Sequence, residues 1–140
     1  MFDENEEMNE FKIEANDLLD EAETCLLELD KTNSYQEHFN SIFRAFHSIK
    51  GAAGMFGIDN LQAHMHSLET LFESKKNDDH VSALQIDYFL KGVDGARQFL
   101  NGVDIQFNTL TKEEFDNIRT IKWPFKLLQI KQQRQSKKIK

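Results

Sequence analysis

Proline, glycine and cysteine are scarce in this chain. One proline and six glycines occur among 140 residues, so few positions would interrupt a helix. No stretch alternates apolar and polar residues for long enough to form a sheet. The single cysteine, Cys25, excludes a disulfide within the chain, and its place on an apolar stripe indicates a buried structural thiol. These scarcities predict long helices joined by few turns.

Long apolar runs are missing as well. No run reaches the roughly 18 to 20 residues that span a bilayer, and the N-terminus is acidic where a secretory signal is basic and then apolar. We therefore expect a cytoplasmic protein with no membrane segment. The 39% hydrophobic content is typical of a folded protein, and 140 residues suit a single domain.

The net charge of −7 is distributed unevenly. Acidic residues crowd the first thirty positions, whereas the segment from Lys122 to Lys140 has bases and no acids. An acidic body is not typical of a nucleic-acid-binding domain, so no nucleic-acid partner is expected, and the acidic helix face is interpreted as a solvated one. We predict a helical domain over residues 1–122 and a basic tail or linker over residues 123–140.

Apolar residues recur three and four positions apart in four long segments, as on one face of an amphipathic helix. Capping patterns, in which Ser, Asp or Thr precedes Glu or Gln by three residues, stand at Ser34, Asp59 and Thr111. The predicted helices run over about 7–31, 35–55, 59–73, 81–101 and 112–122. They predict an all-α fold, an antiparallel up-down four-helix bundle with a fifth C-terminal helix, and a monomer.

His47 lies beside the apolar stripe of the second predicted helix. Residues three, four and seven positions later share its face, and these are Lys50, Gly51 and Gly54. A glycine inside a helix costs roughly 1 kcal/mol relative to alanine, so two of them beside a histidine indicate that something approaches the backbone there. Neutral imidazole is a nucleophile, and a lysine one turn away can hold the oxygens of a phosphoryl group. The pattern suits phosphoryl transfer.

A nucleophilic imidazole needs a lone pair on one ring nitrogen while the other nitrogen keeps its proton. A carboxylate that accepts a hydrogen bond from Nδ1–H fixes this tautomer and leaves Nε2 as the nucleophile. Glu69 is the candidate, because His47 lies about ten residues before Gly57 and Glu69 about twelve after it. In an antiparallel pair of helices both residues would then lie about 15 to 18 Å from the bend.

The segment from Ile42 to Gly57 resembles the signature of the histidine phosphotransfer (Hpt) family, in which His-x-x-Lys-Gly is followed by small residues. It is most similar to the N-terminal phosphotransfer domains of CheA-type chemotaxis histidine kinases. Those domains carry a lysine, a histidine and a glutamate three, nineteen and twenty-two residues after the acceptor histidine. Here these offsets from His47 give Lys50, His66 and Glu69.

The resemblance implies that His47 accepts a phosphoryl group from the ATP-binding domain of a histidine kinase and passes it to an aspartate of a CheY-like receiver domain. ATP and Mg²⁺ would belong to these partners, so no cofactor or metal is expected in this chain. The chain would be a phosphocarrier without independent catalysis, or the phosphoacceptor domain of a CheA-type kinase. His66 would flank the acceptor ring, and Gly51, Gly54 and Phe56 would lie where a partner docks.

Two positions depart from the enteric-type pattern of these domains. Phe46 and Ala52 stand where alanine and glycine are expected. Phe46 would make the wall beside His47 bulkier, which would bear on the choice of partner.

Two other classes of function compete with this interpretation. A metal-binding bundle needs histidines and carboxylates on facing helices, but His64 and His66 would point about 200° apart on a helix, and Glu-x-x-His spacing does not occur. A pure interaction module would keep the fold without phosphorylation. The set of His47, Lys50 and Glu69 argues against that module.

Overall fold

The computed structural model describes residues 4–29, 31, 33–78 and 80–118. Its helices are α1 (Glu4–Glu28), α2 (Tyr35–Met55), α3 (Asp59–Glu73), α4 (Ala83–Leu100) and α5 (Lys112–Asp116). No β-strand occurs among these residues, so the all-α prediction is confirmed. The tail over residues 123–140 lies outside the described residues, and the domain boundary after residue 122 stays a prediction.

Side-chain caps start two of the helices. Thr111 Oγ1 accepts from the Glu114 N–H at 3.1 Å and Glu114 Oε1 accepts from the Thr111 N–H at 2.9 Å, which is the predicted capping box. A second box, formed by Ser82 and Gln85, starts α4 two residues later than predicted from the apolar pattern. The helix that follows Thr111 is shorter than predicted, because α5 ends at Asp116 and Asn117 is its C-cap.

The capping boxes predicted at Ser34 and Asp59 were wrong. Neither α2 nor α3 has a side-chain cap hydrogen bond, and Asp59 is itself the first residue of α3. Gly57, at a φ of +70°, provides the predicted break, and the Ile58 N–H donates to the Ala53 carbonyl at 2.9 Å. Since Ile58 then opens α3 directly, the Asp59 carboxylate lies in the first turn, where it complements the helix dipole.

The four long helices form a closed ring of neighbours, α1 beside α2, α2 beside α3, α3 beside α4 and α4 beside α1. Phe11, early in α1, stacks on Phe56 just beyond the end of α2, with ring centroids 5.1 Å apart. Tyr35, at the start of α2, donates its hydroxyl to the Lys75 carbonyl just beyond α3, at 2.7 Å. Sequential neighbours are therefore antiparallel, as in an up-down bundle.

Aromatic rings fill the centre of the bundle. The largest fully buried side chains include five phenylalanines from α2, α3, α4 and α5: Phe39, Phe46, Phe72, Phe89 and Phe115. Phe115 brings α5 onto the bundle by packing edge-on against Phe89, with centroids 5.3 Å apart. The Gln85 side-chain amide donates to the Phe115 carbonyl at 3.1 Å. The fifth helix is thus an addition to a four-helix core.

Arg97 of α4 ties that helix to α1. Its guanidinium donates to Asp20 at 2.7 Å and to Glu23 at 2.9 Å, and a third ion pair joins it to Asp94 within α4. The acidic face of α1 is therefore not only solvated, since two of its carboxylates bind a cation on a neighbouring helix.

Cys25 was predicted to be buried and is instead only partly buried, on the side of α1 that faces α2. Burial and the nearby Glu21 carboxylate raise the pKa of its thiol, while a hydrogen bond with Ser41 acts in the opposite direction. A thiol with a raised pKa is poorly nucleophilic, which agrees with a structural role, and that role stays a prediction.

Two glycines of α4 leave room for α3. A Cβ at Gly92 would lie 2.5 Å from Leu68 Cδ2, and one at Gly95 would lie 3.1 Å from His64 Cε1. His64 fills this space, and its Nε2–H donates to the Gly92 carbonyl at 2.7 Å. Burial lowers the pKa of His64, and the hydrogen bond to Gly92 offsets part of that effect. His64 is therefore a neutral core residue that fills the space beside the two glycines of α4.

We expect His64 to make the folded bundle less stable in acid. Its pKa is lowered from an ordinary value of 6.5, so the unfolded chain binds the proton more readily than the folded chain. The contribution of His64 to the free energy of unfolding is at its maximum above about pH 6.5. Below that pH it falls by at most about 1.4 kcal/mol per pH unit, until the pH reaches the pKa of His64 in the folded chain. His64→Gln should flatten this slope in urea unfolding between about pH 5 and 7. Exposed His66→Gln is the control, and equal slopes for parent and His64→Gln would contradict the prediction.

Candidate functional site

His47 projects from α2 on the side that faces α3. Its neighbours Phe46 and Ile49 are buried in the core, while its own side chain is 64% exposed. Three and four residues separate the buried positions of α2, so His47 falls just outside the apolar stripe. The imidazole is therefore accessible to a second molecule.

Glu69 of α3 holds the imidazole by one nitrogen. Its Oε2 lies 2.6 Å from His47 Nδ1, and the Glu69 side chain is 8% exposed. An ionised carboxylate only accepts hydrogen bonds, so Nδ1 must carry a proton, and in the neutral ring Nε2 then keeps its lone pair. The structure thus places Glu69 beside His47, at the level that counting helical rise predicted.

Lys50 occupies the other oxygen of the same carboxylate. Its Nζ donates to Glu69 Oε1 at 2.6 Å, one helical turn after His47. Burial raises the pKa of the Glu69 carboxyl, but the hydrogen bonds from Lys50 and His47 lower it by more, so the pKa lies below its usual value. Glu69 therefore stays ionised at neutral pH and keeps His47 in one tautomer.

Two other residues predicted for the site, His66 and Phe56, lie outside the cluster of His47, Lys50 and Glu69. His66 is exposed one turn before Glu69, and no hydrogen bond or ring contact joins it to His47 in the described part of the chain. Its role as a flanking residue stays a prediction. Phe56 is partly buried, because its ring stacks on Phe11 of α1.

The two glycines of the predicted access surface differ. A Cβ built at Gly51 would meet no heavy atom of the described residues within 4 Å. A Cβ at Gly54 would lie 2.5 Å from Gln62 Nε2, at the flexible end of an α3 side chain. Gly51 therefore leaves open space beside His47, whereas the space at Gly54 is taken by Gln62.

No group of three or more histidine, cysteine, aspartate or glutamate side chains that could hold a metal ion occurs in residues 4–29, 31, 33–78 and 80–118. Over the same residues, no helix combines the length and the apolar character needed to cross a bilayer.

The sequence matches the family model of the Hpt domain over residues 7–118. The chain belongs to the Hpt domain family. Three curated proteins with similar sequences are all named Chemotaxis protein CheA. That of Klebsiella aerogenes is 43% identical over 82 residues, which are 58% of this chain and 13% of the relative. That of Salmonella typhimurium is 40% identical over 82 residues, covering 58% and 12%. That of Rhizobium meliloti is 42% identical over 71 residues, covering 48% and 9%.

This Hpt domain thus aligns with only about an eighth of the length of the first two relatives. No solved structure matches it at a significant level.

The expectation for Phe46 was wrong. Its side chain is fully buried and packs edge-on against Phe72, so it lies in the core of the Hpt domain and not in the wall beside His47. The ring beside His47 is that of Phe43, whose centroid lies 6.2 Å from that of the imidazole with 10° between the planes. Sequence reasoning missed this contact, although the spacing of four residues between two aromatic rings on a helix was a signal for it.

Removing the Lys50 ammonium should raise the pKa of Glu69 in this Hpt domain. Lys50→Met deletes the largest of the interactions that lower this pKa and leaves the burial that raises it. Titration of the Glu69 Cδ resonance by ¹³C NMR measures the change. Lys112→Met is the control, since its ammonium pairs with Asp116 on α5. An unchanged Glu69 pKa in Lys50→Met would show that the Lys50 contact does not govern the carboxylate.

Proposed function

We propose that this Hpt domain is the phosphocarrier of a chemotaxis-type two-component system and that His47 is its phosphoacceptor. The observation that supports this most directly is the exposed His47 ring, held at Nδ1 by an ionised carboxylate with Nε2 left as a nucleophile. The family match and the CheA relatives support the same pathway. We also propose that the domain is located in the cytoplasm and that it is a monomer.

The proposed reaction is an in-line transfer to nitrogen. The Nε2 lone pair of His47 attacks the γ-phosphorus of ATP bound to a histidine kinase domain, the P–N bond forms, and the bond between that phosphorus and the β-phosphate oxygen breaks to release ADP. Nδ1 keeps its proton throughout, and the positive charge that the ring gains is balanced by Glu69. A receiver-domain aspartate then takes the phosphoryl group, with its own Mg²⁺.

Lys50 has two roles in this proposal, one toward Glu69 and one toward the phosphoryl group. Its ammonium already donates to Glu69, and an ammonium has three N–H donors, so two remain for the oxygens of a phosphoryl group on His47. The Lys50 side chain is 24% exposed, so a phosphoryl group at the surface can approach it. Lys50 would thus offset the charge of the phosphoryl group while it keeps Glu69 ionised.

Partner access depends on the open surface beside the ring. Gly51 lies one turn after His47 and has no side chain, which lets a kinase or receiver domain bring its reacting group close to Nε2. Met55, at the end of the same helix, is 87% exposed and offers an apolar contact to a docked partner. Phe56 and Gly54 contribute less open surface than predicted, since Phe11 and Gln62 lie against them.

His47→Gln should abolish phosphorylation while leaving the helical fold intact. The side chain is exposed, so its loss removes the nucleophile without a cavity in the core. The measurement is ³²P transfer from ATP by the catalytic part of a CheA kinase that lacks its own phosphotransfer domain, with circular dichroism as the check of folding. His38→Gln, on the same helix, is the matched control and should accept phosphate at the parent rate. Labelling of His47→Gln at the parent level would exclude His47 as the acceptor.

Gly51→Ala should separate stability from function. The added methyl group meets open space and removes the helix penalty of glycine, so the free energy of unfolding should rise by about 0.5 to 1 kcal/mol. The same methyl group narrows the approach to His47, so the second-order rate of phosphotransfer to a CheY-like receiver should fall, measured by rapid quench. Gln98→Ala, at an exposed position of α4, is the control. A more stable variant with an unchanged transfer rate would remove Gly51 from the docking surface.

A further inference from the structure

A stack of four rings runs along α2 and ends on His47. Its members are spaced four residues apart: Tyr35, Phe39, Phe43 and His47. Successive ring centroids are 5.9, 6.4 and 6.2 Å apart, and the angles between successive planes are 25°, 9° and 10°. These distances and angles are those of offset-stacked aromatic pairs. We call this set the α2 ring stack.

The α2 ring stack is fixed at its buried end. Tyr35 is held by its hydroxyl, which donates to the Lys75 carbonyl at 2.7 Å. Phe39 is fully packed and lies flat against Phe72 of α3, with centroids 4.4 Å apart and 14° between the planes. Phe43 is half-buried and His47 exposed, so the α2 ring stack leads from the buried core to the exposed imidazole.

A single hydrogen bond at Nδ1 does not define the orientation of the imidazole. The ring can still rock about the line from Nδ1 to Glu69 Oε2, which moves Nε2 sideways. The Phe43 ring, parallel to the imidazole one turn earlier, blocks this motion on one face. The other neighbour along the helix, Gly51, has no side chain, so that approach to the ring is open.

We propose that Phe43 is a positioning residue of this Hpt domain: its ring, supported by Phe39 and Tyr35, fixes the plane of the His47 imidazole, while Glu69 fixes its tautomer. This inference rests on the proposed function of His47 and adds a second support for the same ring. In this proposal Phe43 does not act on the phosphoryl group itself. It acts through the orientation of Nε2 toward the incoming phosphorus.

Phe43→Leu tests the proposal, because it keeps a half-buried apolar side chain and removes the ring. The direct readout is NMR of the His47 ring protons in the unphosphorylated chain. The ring current of Phe43 should disappear, and ring order measured by ¹³C relaxation should fall. Phe43→Tyr restores an aromatic ring and should restore both signals. Unchanged His47 shifts and order in Phe43→Leu would overturn the proposal whether or not the chain accepts phosphate.

Kinetics then separate positioning from docking. With the same kinase catalytic part and ATP, Phe43→Leu should lower the maximal phosphorylation rate about threefold to tenfold and leave the KM for the Hpt domain unchanged. Phe107→Leu is the matched control, since it removes a half-buried ring that contacts His64 and Tyr88 and lies away from His47. It should keep the parent rate even where it costs stability.

Three kinetic outcomes would overturn the proposal. They are a parent rate in folded Phe43→Leu, a raised KM with an unchanged maximal rate, and failure of Phe43→Tyr to recover the rate. Absence of phosphorylation in the parent chain would instead refute the proposed function, and the NMR measurement would still decide the role of Phe43.

Discussion

One carboxylate shared by two hydrogen-bond donors organises the candidate site of this Hpt domain. Glu69 comes from α3 and binds His47 and Lys50, both from α2, with one oxygen each. The Glu69 side chain is almost fully buried, and burial alone would favour its neutral form. Because two charge-assisted hydrogen bonds hold it ionised, the tautomer of an exposed histidine is set by a group that the solvent barely reaches. The chemistry proposed for His47 depends on this arrangement.

The bundle holds that carboxylate at the right height. Tyr35 bonds the turn after α3, Phe39 stacks on Phe72, and Gly57 closes the bend between α2 and α3, so the two helices are fixed at both ends. A shift of one helix by a single residue would move Glu69 about 1.5 Å along the axis. That is enough to break a 2.6 Å hydrogen bond. Packing far from His47 thus maintains the short hydrogen bond between His47 and Glu69.

The sequence predicted those features that follow from periodicity and chain length. The three- and four-residue spacing located the helices, and counting residues to Gly57 brought His47 and Glu69 to the same level. Prediction from the sequence failed for two local features, the helix caps at Ser34 and Asp59 and the direction of the Phe46 side chain. Ser34 and Asp59 carry capping signatures, but the Ser34 side chain makes no cap hydrogen bond, and Asp59 lies inside α3, whose N-cap is Ile58. The direction of Phe46 was misjudged because adjacent residues on a helix diverge by about 100°. Phe43 and Phe46 lie four residues and one residue before His47, and it is Phe43 whose ring stacks on the imidazole, while Phe46 packs against Phe72.

Tyr35 connects the reactive end of α2 to a distant part of the chain. Its hydroxyl is bound to the backbone at Lys75, in the connection between α3 and α4, roughly three helical turns from His47. Insertions or deletions in that connection would change the hydrogen bond that anchors Tyr35, the first ring of the α2 ring stack, without altering any residue near the imidazole. Under the role proposed for the α2 ring stack, the length of this connection is therefore expected to affect the reactivity of His47 from about three helical turns away.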